Sequence, residues 1–113
     1  MSFIYKTTNS PWGEIQHRTI LAEGIVAVST AGHGGIWLSP ERRLQLPKWA
    51  RQIASTYCQK PAWWEEDCEA MVPLYVFFDD IAPQARPVDD KATIAKWLSD
   101  PSFAYLNFPK EAA

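Results

Sequence analysis

The first third of the chain alternates polar and apolar positions with a period of two. In "EIQHRTIL" (14–21), Ile15, His17 and Thr19 point one way and Gln16, Arg18 and Ile20 the other. Ala22-Glu23-Gly24 reads as a turn, and "IVAVST" (25–30) is the short, β-branched run of a buried strand. These two runs predict a hairpin. "FIY" (3–5) is a candidate edge strand. "IWL" (36–38) is another short strand, reached through a glycine-rich loop.

The period then changes. Ser39-Pro40-Glu41 is a helix start: a hydroxyl to accept a first-turn amide, a proline with no amide to lose, and an acid at the positive end of the dipole. Pro47 ends or restarts that helix, and Leu46, Ala50, Ile53, Ala54 and Tyr57 follow at helical spacing. "KPAWWEEDCEAMVPLYVFFDD" (60–80) reads as a second helical segment to about Met71, with three acids in its first turn. Pro73 divides it, and "MVPLYVFF" is open to a strand reading. Residues 80–90 form a proline-spaced loop. Asp89 or Asp90 caps a short helix, "KATIAKWLS", with Ile94, Trp97 and Leu98 inward, and Asp100-Pro101 stops it. "SFAYLNFP" returns as a strand or packs as an apolar tail. The expectation is one α+β domain over residues 1–113: a small antiparallel sheet from the N-terminal third, packed against two to three helices.

Composition supports a folded core. Of 113 residues 47% are hydrophobic, and the six tryptophans supply large burial, so disorder is a poor reading. The net charge of −2 argues against non-specific nucleic-acid binding, which needs a basic face. That charge is unevenly divided. Residues 1–60 carry seven Lys/Arg and three Glu, while residues 61–113 carry four Lys/Arg and ten acids. Pairing of the two halves across the fold is the expected use. Cys58 and Cys68 match no zinc or redox spacing. No apolar run approaches the roughly 20 residues of a membrane span, and the opening residues lack a signal-peptide core. A cytoplasmic protein with reduced thiols and without metal, cofactor or membrane is expected.

Two stretches carry candidate chemistry. The first is Thr30-Ala31-Gly32-His33-Gly34-Gly35. Its Gly34-Gly35 pair permits positive φ and a nest of amides around an anion. It matches neither the GxGxxG nor the GxxxxGK[ST] phosphate loop. His33, between glycines, is a candidate proton carrier, hydrogen-bond donor to an anion, or metal ligand, whereas His17 reads as a structural or surface residue. The second stretch is "WWEEDCEA" (63–70). On a helix, Glu65 and Glu69 would share a face at i, i+4, and Glu65, Glu66 or Asp67 could orient His33 or act as a base. Trp63 and Trp64, being adjacent, cannot both face one core. An aromatic such as Trp12 or Trp64, with Arg42, would suit a base plus phosphates.

The blocks "SPWG", "GIVAVSTAGHGGIWLSPER" and "WWEEDCEA" resemble a small domain of unknown function found in phage, plasmid and other bacterial mobile-element proteins. The likeness spans roughly residues 9–71, and Trp64 stands where that family is expected to carry tyrosine. It implies that Trp12, Gly13, His33, Gly34, Gly35, Ser39, Arg42, Glu65, Glu66, Asp67 and Cys68 belong to one cluster. It also implies a mobile-element setting.

The resulting functional expectation is an accessory protein that counters a host defence. It would bind a small anionic or nucleotide ligand, or a host defence protein, through Gly32, His33, Gly34, Gly35, Arg42, Trp12 and Trp64. One alternative is a small hydrolase or transferase using His33 with Glu65, Glu66 or Asp67. Another is a purely structural protein-interaction domain. A homo-oligomer would cover surplus aromatic surface.

Overall fold

The computed structural model describes residues 7–53, 62–66, 69–106 and 108–109. The candidate strand at 3–5, the helical positions Ala54 and Tyr57, both cysteines and Asp67 lie outside the described residues. Strands β1 (Asn9–Ser10) and β2 (Gly13–Glu14) pair as a minimal hairpin. Strands β3 (His17–Ala22), β4 (Ile25–Ser29) and β5 (Gly34–Leu38) form the expected meander. A fourth strand, β6 (Trp63–Glu65), extends it to the order β3-β4-β5-β6, antiparallel throughout. The fold is α+β, as the sequence pattern predicts.

The helix that opens after β5 starts where expected. Helix α1 (Pro40–Gln45) is capped by Ser39, whose hydroxyl accepts from the Arg42 amide at 3.2 Å. Pro47 separates it from α2 (Lys48–Ile53). Asp90 caps α4 (Lys91–Leu98) by accepting from the Thr93 amide at 2.8 Å. That helix turns Ile94, Ala95 and Leu98 inward, but Trp97 is 44% exposed, contrary to the expected inward face. Residues Pro101–Leu106 form 3-10 turns rather than a strand. The tail beyond them does pack: the Phe108 ring stands edge-on to Trp49 and Tyr75, at 5.3 and 5.0 Å.

The segment 60–80 reverses the expectation. Its early part is strand β6, and its later part is helix α3 (Met71–Val76). Glu65 and Glu69 therefore do not share a helical face. Pairing of Trp63, Trp64 and Glu65 with β5 selects the extended form. Pro73 does not divide a helix. It lies in the first turn of α3, where its missing amide has no intrahelical partner to lose.

Register sorts the sheet into two faces, because directly opposed residues share a side. Thr19, Ala27, Ile36 and Trp64 form one row. Their face meets the main core with Leu46, Ala50 and Ile53 of the first helices and Val72, Leu74, Ile94 and Leu98 of the later ones. Trp64 is fully buried there. At ~25 cal/mol per Å2, burying an indole of this size contributes about 4–6 kcal/mol before ordering costs. The opposite face carries Val26, Val28 and Trp37, covered by Ile15, Ala62, Trp12 and Trp63. The adjacent tryptophans thus face two different cores, as alternation along a strand demands.

Arg42 ties the far end of the sheet together. Its guanidinium donates to the Glu23 carbonyl at 2.8 Å, to Gln45 Oε1 at 3.1 Å and to the Asp80 carboxylate at 2.7 Å. It also stands 5.0 Å from the Phe77 ring centre. Gly24 completes this corner with φ of +82°, and a Cβ there would come within 2.5 Å of the Ser39 hydroxyl.

Most of the Arg42 contribution comes from the fixed fork of donors and less from the half-exposed ion pair. Arg42→Lys is expected to lose about 1–2 kcal/mol in urea unfolding, and Asp80→Asn less than about 1 kcal/mol. Equal losses would show that the ion pair dominates.

Candidate functional site

The chemistry-bearing blocks meet on strand β5, and they do so through missing side chains. Gly34 and Gly35 are in extended strand conformation, paired with Ser29 and Val28 of β4. Among the described glycines only Gly13 and Gly24 have positive φ. The expected nest at Gly34-Gly35 therefore does not form. In the turn between β4 and β5, the Thr30 hydroxyl donates to the His33 carbonyl at 2.8 Å and accepts from the His33 amide at 3.1 Å. The Thr30 amide donates to the same carbonyl at 2.7 Å. The turn closes on itself, leaving the His33 side chain exposed at its tip.

The two glycines instead admit neighbours. A Cβ on Gly35 would overlap the Trp64 carbonyl and come 2.5 Å from Trp12 Cη2. The Trp12 ring lies over that bare backbone and meets Trp63 edge-on, with centroids 5.8 Å apart. A Cβ on Gly34 would come 2.8 Å from both Glu66 Oε2 and the Val28 carbonyl. The Glu66 amide donates to the Gly34 carbonyl at 3.0 Å, which continues the ladder past the end of β6. Trp12 therefore approaches β5 at Gly35, and the Glu66 carboxylate approaches it at Gly34.

A row of side chains crosses the sheet at this end. His17 opposes Ser29, and Ser29 opposes Gly34, whose carbonyl holds Glu66. This row borders a cleft of about 290 Å3. His17, Thr19, Ser29 and Glu66 supply its polar lining, and Ile36, Met71 and Leu74 form apolar wall. Strand β3 presents His17 and Thr19 to it by simple alternation, and α3 supplies the opposite wall. Of the lining residues His17, Thr19 and Glu66 are exposed, while Ile36 and Leu74 are buried.

The expected site residues divide accordingly. Gly34, Gly35, Trp12, Glu65 and Glu66 come together at β5 and β6. Gly32 and His33 lie at the exposed turn beside them, and no hydrogen bond or ion pair among the described residues joins His33 to Glu65 or Glu66. Trp64 cannot stack on a ligand, because it is fully buried in the main core. Arg42 sits at the other end of β5, roughly 15 Å away by strand length, with its Nε and Nη1 donors already engaged. Ser39 stands with it as a helix cap. Sequence reasoning missed His17 as a cleft residue. The signal was present in its alternation with Thr19, opposite the Ser29 end of β4.

A family model described as Domain of unknown function (DUF7007) matches residues 5–106. No curated protein and no solved structure matches the chain.

The glycines make a sharp test of this packing. Gly35→Ala is expected to lose at least about 2 kcal/mol in denaturant unfolding, because backbone and indole both block the methyl. Gly32→Ala, with open space around its Cβ, should stay within about 0.5 kcal/mol of the parent. Tolerance of alanine at Gly35 would show that Trp12 does not pack as described.

Proposed function

The chain belongs to the DUF7007 family, and from that premise, which carries no activity, we propose that it is a small ligand-binding domain rather than a catalyst. The observation that carries this reading is the open cleft of about 290 Å3 between the sheet and α3. Its lining combines apolar wall with a few convergent polar groups, the usual composition of a small-molecule site. It lies on strands and a helix, which hold side chains more firmly than a loop.

The resemblance to mobile-element proteins supports an accessory role, in which holding a small ligand or a host protein counters a host defence. A nucleotide remains among the ligands this reading admits. Its phosphates would not be held by a glycine nest, since the turn at 30–33 closes on itself and Gly34-Gly35 is strand. Catalysis by His33 with Glu65 or Glu66 has less support, because the imidazole is exposed and joined to neither carboxylate.

Blocking the cleft separates these readings. A thermal-shift screen with nucleosides, nucleotides and small amines is expected to yield ligands whose binding drops at least tenfold in Ser29→Phe and stays unchanged in His33→Ala. The opposite pattern would return the site to the turn.

A further inference from the structure

The cleft's charge and shape narrow the ligand class, on the premise that the cleft is the binding site. None of its lining residues is Lys or Arg, so it offers no fixed positive charge to a phosphate or carboxylate. Its one carboxylate is Glu66, and the bare backbone of Gly34 gives that group its position. Glu66 Oε2 occupies space that any side chain at Gly34 would enter. Among the described residues no group donates a hydrogen bond to the Glu66 carboxylate. An ionised carboxylate accepts only, and its two oxygens match a planar pair of N–H donors.

The surroundings favour a flat body behind that pair. Ile36 and Leu74 give apolar contact, and the Met71 thioether adapts to ring edges and faces. Along the row, Ser29 is two strands from Glu66, roughly 10 Å between backbones. The carboxylate reaches back over Gly34 and shortens that gap. A single ring system then spans from the carboxylate to the Ser29 hydroxyl, with His17 one strand further on.

We propose that this cleft recognises a flat group presenting two parallel N–H donors, with the Glu66 carboxylate as acceptor and the Ile36–Met71–Leu74 surface as its bed. Amidinium and guanidinium compounds carry that edge, and so does guanine through its ring N–H and exocyclic amine. A phosphate adds nothing to the recognition.

The test is calorimetric titration of the full chain with benzamidine, guanosine, inosine, guanosine 5′-triphosphate and inorganic phosphate. Glu66→Gln and Ser29→Phe are titrated in parallel after their melting curves show folded protein. The expected result is binding of benzamidine or guanosine that weakens at least tenfold in Glu66→Gln, with inorganic phosphate inert. Guanosine bound at least tenfold better than inosine, which lacks the exocyclic amine, identifies a nucleobase ligand. Benzamidine binding with guanosine silent identifies an amidinium or guanidinium ligand. Guanosine triphosphate binding more than tenfold tighter than guanosine would overturn the proposal, as would silence of both donor probes or binding indifferent to Glu66→Gln. The cleft reading fails separately, when no compound of any class in the screen is lost in Ser29→Phe. A Ser29→Phe-sensitive ligand that ignores Glu66→Gln leaves the cleft standing and rejects the donor pair.

Discussion

The structure depends on the close approach that strand β5 permits at two consecutive glycines. Hydrogen-bonded strands on both sides hold β5 in place. At Gly35 the space a methyl would need is taken by the Trp64 carbonyl and the Trp12 ring, and at Gly34 by the Glu66 carboxylate and the Val28 carbonyl. Glycine in a strand interior normally weakens it by loss of packing and gain of unfolded-state entropy. Here that cost is offset by burial of Trp12 against the sheet and by docking of β6, which carries Trp64 into the main core. The glycine pair is therefore a packing device first.

That constraint arranges the rest. β6 adds a fourth strand only because β5 has a free edge and room for the Trp64 carbonyl. Just past β6 the Glu66 amide carries the ladder on to Gly34, and α3 forms one wall of the cleft. At the opposite end of β5, Ser39 and Arg42 perform unrelated work: a helix cap, a turn clamp and a contact with the Phe78–Asp80 turn. One contiguous sequence block, residues 29–42, thus serves two ends of the sheet.

Local signals were legible in the sequence, and long-range ones were not. The hairpin of β3 and β4, the Ser39-Pro40 start and the Asp90 cap all follow from neighbours within four residues. The division of Trp63 and Trp64 between two cores follows from their adjacency. The state of residues 60–80 does not. Their local preference suits a helix at 65–69, and pairing with a distant strand overrides it. Trp97 misled for a related reason: helical spacing gives a face about 100° wide, and Ala95 rather than Trp97 completes it. The candidate site was half legible. The glycines and the "EE" pair do come together, but the cleft beside them is made by His17 and α3, whose meeting depends on the topology of the whole sheet.

Gly35 and Trp12 also bear on how such a chain can change. Their contact is a lock between two positions more than twenty residues apart. Altering position 12 alone leaves a void, and altering position 35 meets both the ring and the Trp64 carbonyl, so shrinking the ring does not by itself free the strand for a side chain. The dependence runs one way: position 12 can change while glycine stays at 35, but position 35 is held by the β6 backbone as well. Drift therefore reaches the β1–β2 hairpin sooner than the central strand.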